Sequence, residues 1–121
     1  MYYKVMRKIG QKYQSSILFP PITYPLNQVV RPIMGPAMAF DTLEHCLKWA
    51  IRTGFGWPDA IIVCDGELSK HQPTMIASLG APSLDHQRCQ AFWGGTLSDN
   101  ELMTVPEGTV FLDTVLVIGP A

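Results

Sequence analysis

Residues 40–66, FDTLEHCLKWAIRTGFGWPDAIIVCDG, decide the fold. Asp41 precedes Thr42-Leu43-Glu44, so its carboxylate can accept from a free amide of a first helical turn while Glu44 reaches back to the backbone of Asp41. Leu43, Cys46, Leu47, Ala50 and Ile51 then fall on one face of a 3.6-residue period, which predicts a helix over 41–53 with those five side chains in the core. Trp49 falls off that face. Gly54 stands where a left-handed residue ends a helix, and Arg52 places a cation in the last turn. Trp57-Pro58-Asp59 predicts a turn, and Ala60 to Cys64, a short β-branched run between turn signals, predicts a strand covered on both faces.

Outward from this unit, the chain reads as strands. Tyr2 to Ile9 alternates, with Tyr3, Val5, Arg7 and Ile9 on the face expected to point inward. A guanidinium among apolar neighbours needs an acid, a carbonyl or an anionic ligand, so Arg7 is a candidate site residue. Ser15 to Phe19 reads as a second strand. Prolines at 20, 21, 25, 32 and 36 exclude helix and leave room for an edge strand over Gln28 to Arg31. After residue 66, Pro73 to Leu79 reads as a strand, Ser83 could cap a short helix through Asp85 to Ala91, and strand remains open for that stretch. Thr109 to Ile118 is the longest β-rich run and is expected to be one central strand. The fold class is therefore α+β in a single domain, residues 1–121, with one main helix packed on a largely antiparallel sheet or open barrel of five to seven strands.

Composition narrows the classes of function. The chain has 121 residues, 47% hydrophobic and 16% charged, which fits one folded domain. Its three cysteines form no CxxC pair, and no zinc spacing with the histidines emerges, so no metal is expected and the thiols read as reduced and cytoplasmic. No signal peptide or apolar run of membrane-spanning length is read. All five charges in residues 1–40 are basic, whereas residues 41–121 hold four basic and ten acidic side chains. Tyr2, Tyr3 and Tyr13 lie among Lys4, Arg7, Lys8 and Lys12, a mixture that suits single-stranded nucleic acid. The acidic remainder would repel phosphate, so nucleic acid ranks as the second alternative.

Two sets of residues remain as candidates for a site. Asp65-Gly66-Glu67 follows the end of a buried strand, where a carboxylate can act as a base, although Asp-Gly is also a hairpin signal. Trp49, Phe55, Trp57 and Trp93 are aromatic residues expected to line a cleft or an interface. The leading expectation is a non-catalytic small-ligand-binding or protein-interaction module, without a cofactor, that forms a homodimer.

Tyr3-Lys4-Val5, Ser15-Ser16, Ala39-Phe40-Asp41 before a helix and Ile61-Ile62-Val63 after it resemble short bacterial and phage domains with an ADP-ribosyltransferase-like layout. That resemblance implies Arg7 and Ser15 or Ser16 around a nicotinamide dinucleotide, with Glu67 or Glu101 as catalytic acid. It supplies the first alternative, a small transferase.

Overall fold

Alternation in the first strand sets the architecture, because the two faces of Tyr2–Ile9 meet two different layers. The computed structural model describes residues 1–15, 18–19, 21–33, 35–54, 59–77 and 84–121, with the backbone alone for 18, 19, 59 and 84–86. Among them run strands β1 (Tyr2–Ile9), β2 (Lys12–Ser15), β3 (Leu18–Phe19), β4 (Thr23–Pro25), β5 (Val29–Val30) and β6 (Ala37–Phe40), then helix α1 (Leu43–Thr53) and β7 (Asp59–Asp65). After these come β8 (Met75–Ala77), β9 (Leu84–Asp85), α2 (His86–Trp93), a 3-10 turn at Asp99–Glu101, β10 (Leu102–Thr104), β11 (Thr109–Leu112) and β12 (Val115–Pro120). The class is mixed α and β as expected, with two helices in place of one and more, shorter strands than five to seven.

Strand β1 is the hub of an eight-stranded sheet ordered β11-β6-β1-β7-β12-β5. Along one edge it pairs with β7 from Tyr2–Cys64 to Arg7–Asp59. Along the other it meets β6 at Tyr3–Phe40 and then β2 at Met6–Ser15 to Ile9–Lys12. Where β6 leaves β1, the Lys4 ammonium donates to the carbonyl of Met38 at 2.8 Å and satisfies the strand edge there. Strand β4 pairs with β2, and the next turn donates Asn27 N–H to the carbonyl of Val117 in β12 at 2.9 Å. The path from β1 through β2, β4, β12 and β7 thus returns on itself as an antiparallel, nearly closed barrel. Outside it lie the antiparallel pair β8–β10 and the parallel pair β3–β9.

Met6, Tyr13, Tyr24, Ile62, Cys64, Leu112, Val115 and Val117 fill the barrel interior. Outside the sheet, α1 covers Val5 and Phe40, with Tyr3, Met38 and Ile61 at the margin. The inward face of β1 therefore differs from the expected one beyond its first half: Met6 is fully buried, while Arg7 and Ile9 are exposed. Beyond Met6 the outer side chains of β1, Arg7 and Ile9, are open to solvent.

Helix α1 ends at Gly54 as its sequence predicts, with φ 77° and its N–H directed at the carbonyls of Ala50 and Ile51. Its start and its phase differ. Thr42, not Asp41, is the N-cap, accepting from His45 N–H at 3.1 Å. The core face is Cys46, Trp49 and Ala50, while Leu43, Leu47 and Ile51 are 39%, 43% and 77% exposed. The helix is thus turned by roughly one 100° step from the leucine-rich face. Small Cys46 and Ala50 let the helix axis approach the sheet, and Trp49 packs on Phe40 with ring centroids 5.4 Å apart.

The expected long strand over 109–118 is broken at Asp113-Thr114. Strand β11 pairs with β6, and β12 pairs with β7. The corner is held by Asp113 N–H to the Glu67 carbonyl at 2.8 Å and Glu67 N–H to Thr114 Oγ1 at 3.0 Å. Asp65-Gly66 accordingly forms no two-residue hairpin. A Cβ on Gly66 would run into the Thr114 carbonyl, so glycine is required there for close backbone approach. Within the expected strand Pro73 to Leu79 the described residues form the three-residue β8, residues 78 and 79 lying outside them, and residues 86–93 take the helical option.

Candidate functional site

Three basic side chains of α1 share one flank. His45, Lys48 and Arg52 stand at i, i+3 and i+7, on the side opposite Leu43, Leu47 and Ile51. Strand β11 lies outside β6 in the sheet, so the Pro106-Glu107-Gly108 turn that opens it arrives beside this cationic flank. The turn is tied by Asp41 N–H to the Gly108 carbonyl at 2.9 Å and by Thr109 Oγ1, which donates to the Pro106 carbonyl at 2.6 Å. Between helix and turn opens a shallow cleft of about 90 Å³, lined by His45, Lys48, Trp49, Arg52, Pro106 and Glu107.

His45 sits between two acids. Its Nδ1 lies 2.6 Å from Asp41 Oδ1, and its Nε2 lies 3.5 Å from Glu107 Oε1. The hydrogen bond to Asp41 chiefly, and then the surrounding carboxylates, raise its pKa above the ordinary histidine value. In its protonated form the ring donates from Nδ1 to Asp41 and turns Nε2 toward Glu107, and its charge then adds to those of Lys48 and Arg52. Lys48 also lies 3.6 Å from Glu44 one turn back. Trp49, 5% exposed, and Pro106 give the cleft an apolar floor beneath charged walls.

Of the described residues singled out from sequence, only Trp49 lines this cleft, and it does so from within the core. Arg7 is exposed on β1, level with Asp59 at the start of β7. Asp65 ends β7, 3.5 Å from the Met1 ammonium, and exposed Glu67 follows it. Six residues of strand separate the level of Arg7 from Asp65, about 20 Å at 3.3 Å per residue, so Arg7 and the acidic pair stand at opposite ends of the sheet. Ser15 Oγ accepts from Ile22 N–H at 2.8 Å. Glu101 belongs to a capping box with Ser98, whose hydroxyl donates to it at 2.7 Å and holds its carboxyl below the usual range. Trp93 is half-buried, edge-on to Phe111 at 5.5 Å and beside Phe92 at 4.8 Å. Ser16, Phe55 and Trp57 lie outside the described residues.

The residues that the sequence does not single out as a site are His45, Lys48, Arg52 and Glu107, with Asp41 read there only as a cap and Arg52 only as the cation of the last turn. Their helical spacing was a usable signal for a cationic flank. Nothing local announces that Glu107 joins it, since that follows from β11 pairing with β6. The thiols are buried: burial pushes Cys46 up to about 12 and Cys64 up to about 11, and raises Cys89 as well. Burial also lowers the pKa of Lys4. Among the described residues, no three His, Cys, Asp or Glu side chains converge as metal ligands, and no helix is long and apolar enough to cross a membrane. Comparison of the chain with protein-family models, with curated proteins and with solved structures finds no match in any of the three.

Proposed function

We propose that this chain is a non-catalytic binding module whose cleft between α1 and the 106–108 turn takes a small anionic group, a phosphate or a carboxylate. The observation that carries this reading is the alignment of His45, Lys48 and Arg52 over an apolar floor of Trp49 and Pro106. Arginine and lysine supply fork and point-charge donors for such oxyanions, and the flat indole supports the apolar part of a ligand. Glu107 guards the cleft by competing for His45, so the anion must exchange places with a carboxylate. Free, buried cysteines suit a reducing, cytoplasmic setting.

Titration with inorganic phosphate and with small carboxylates, followed by amide and histidine chemical shifts, tests the proposal. Saturable shifts confined to residues 45–52 and 106–108 are expected. Lys48→Ala with Arg52→Ala should weaken them by about tenfold or more, and Glu107→Gln should strengthen them. Affinity should fall as pH rises through the elevated pKa of His45, because the cleft then loses a cation. Shifts scattered over the surface, or unchanged by the double substitution, would overturn the cleft assignment.

A further inference from the structure

The opposite flank of α1 carries a second surface, which shares only Lys48 with the cleft. Leu43, Leu47 and Ile51 recur every four residues, so they form one stripe along the helix, and all three are exposed. Because the cationic flank faces the β11 side of the sheet, this stripe faces the other side, toward β7 and β12. There the outward residues are half-buried Val63 and Leu116, Ile118 at 41% exposure and Val29 at 68%, with exposed Asp65, level with Leu116, as the charged member of the row. Summed over the helix stripe and the sheet beside it, and interrupted by Asp65, these side chains expose on the order of 500 Å² of apolar surface, comparable with the patches that mark interaction sites on small proteins.

We infer that this surface is covered by a second copy of the chain, with the two α1 helices antiparallel across a two-fold axis at Leu47. The stripe is palindromic about Leu47, so a two-fold sets Leu43 against the second copy's Ile51 and Leu47 against its own counterpart. Charge follows the same symmetry. Asp41 and Glu44 occupy the start of the helix and Lys48 and Arg52 its second half. In the antiparallel pair Glu44 lies level with the second copy's Ala50, within reach of the second copy's Lys48 on the solvent side. Helix dipoles also oppose, whereas a parallel pair would align both dipoles and like charges. The apolar patch supplies over half of the roughly 800 Å² that each partner contributes to a standard interface, and the polar rim of α1 supplies the remainder.

Light scattering on the parent chain at increasing concentration should give twice the chain mass. Leu47→Asp should give the monomer mass while keeping the parent's circular dichroism and a cooperative melt, since Leu47 is outside the core. Leu47→Cys under mild oxidation should form a covalent dimer through a symmetric disulfide, whereas Ile33→Cys, exposed on a different segment, should not. Glu44→Lys should weaken association by about tenfold over the two symmetric contacts, and adding Lys48→Glu should restore it. A monomeric parent at high concentration overturns the inference. So does a dimer that Leu47→Asp leaves intact or that Leu47→Cys fails to cross-link. If Leu47→Asp does not fold, the cross-link and the charge exchange decide. Phosphate titration of the monomeric variant reads the cleft separately, so either surface can fail without the other.

Discussion

Asp41 raises the pKa of His45 through their hydrogen bond and, through its own N–H, ties down the turn that delivers Glu107. The folded pKa of His45 is raised, so the stability it contributes is fully present below the unfolded value of about 6.5 and is lost as pH rises through the folded value. Asp41→Asn should therefore bring the NMR titration midpoint of the His45 ring back toward about 6.5 and flatten the dependence of the melting midpoint on pH over that window. An unchanged midpoint would remove Asp41 as the cause. The cysteines make an opposite case. With thiols buried and their pKa values elevated, Cys46 and Cys64 should not react with a disulfide reagent at pH 8 until the chain unfolds, so the labelling rate should track unfolding. Fast labelling of either thiol in the native chain would contradict their burial. Adjacent Asp41 and Thr42 are both good capping residues, and local sequence favours neither. What separates them is His45 and Gly108 drawing Asp41 away, and the second of those contacts spans most of the chain.

The helix shows which part of an element is legible locally. Its length, its glycine stop and its two-sidedness follow from neighbours within four residues, and all three were readable in residues 41–54. Its phase was not, because the five apolar residues and Trp49 allow two overlapping faces, and the choice depends on the sheet beneath. Phe40 and Val5 offer a surface onto which the indole fits and two leucines do not. Trp49→Ala should cost about 3 to 5 kcal/mol in denaturant unfolding, whereas Leu47→Ala, measured at a concentration low enough for the monomer, should stay within about 0.5 kcal/mol. The reverse order would restore the leucine face to the core. Strand 109–118 fails for a related reason: Asp113-Thr114 is a weak interruption in a β-rich run, and the corner becomes visible only when Glu67 and Gly66 are placed against it.

At the scale of the molecule, closure depends on few points. Gly66 lets the exit of β7 lie against the Thr114 carbonyl, and both are main chain, so neither can rotate away. Gly66→Ala should cost about 3 kcal/mol or more, read as a lower denaturant midpoint with unchanged slope; a loss under 1 kcal/mol would show that the corner yields. Strand order was beyond the sequence because β1 serves three partners, and an alternating strand carries no mark of which edge meets which neighbour. That same hub has a kinetic side. The neighbours β6 and β7 follow β1 by some thirty to fifty residues, and β12, which closes the barrel over β7, comes last. A nascent chain can zip β1, β2 and β4 early, yet the free edge of β1 must wait seconds, at about 5 to 20 residues per second, for β7 to emerge from the ribosome. Folding dominated by such distant pairings is slow, so the edge of β1 is the place where a trapping chaperone, or a neighbouring nascent chain, would compete with β7 during synthesis.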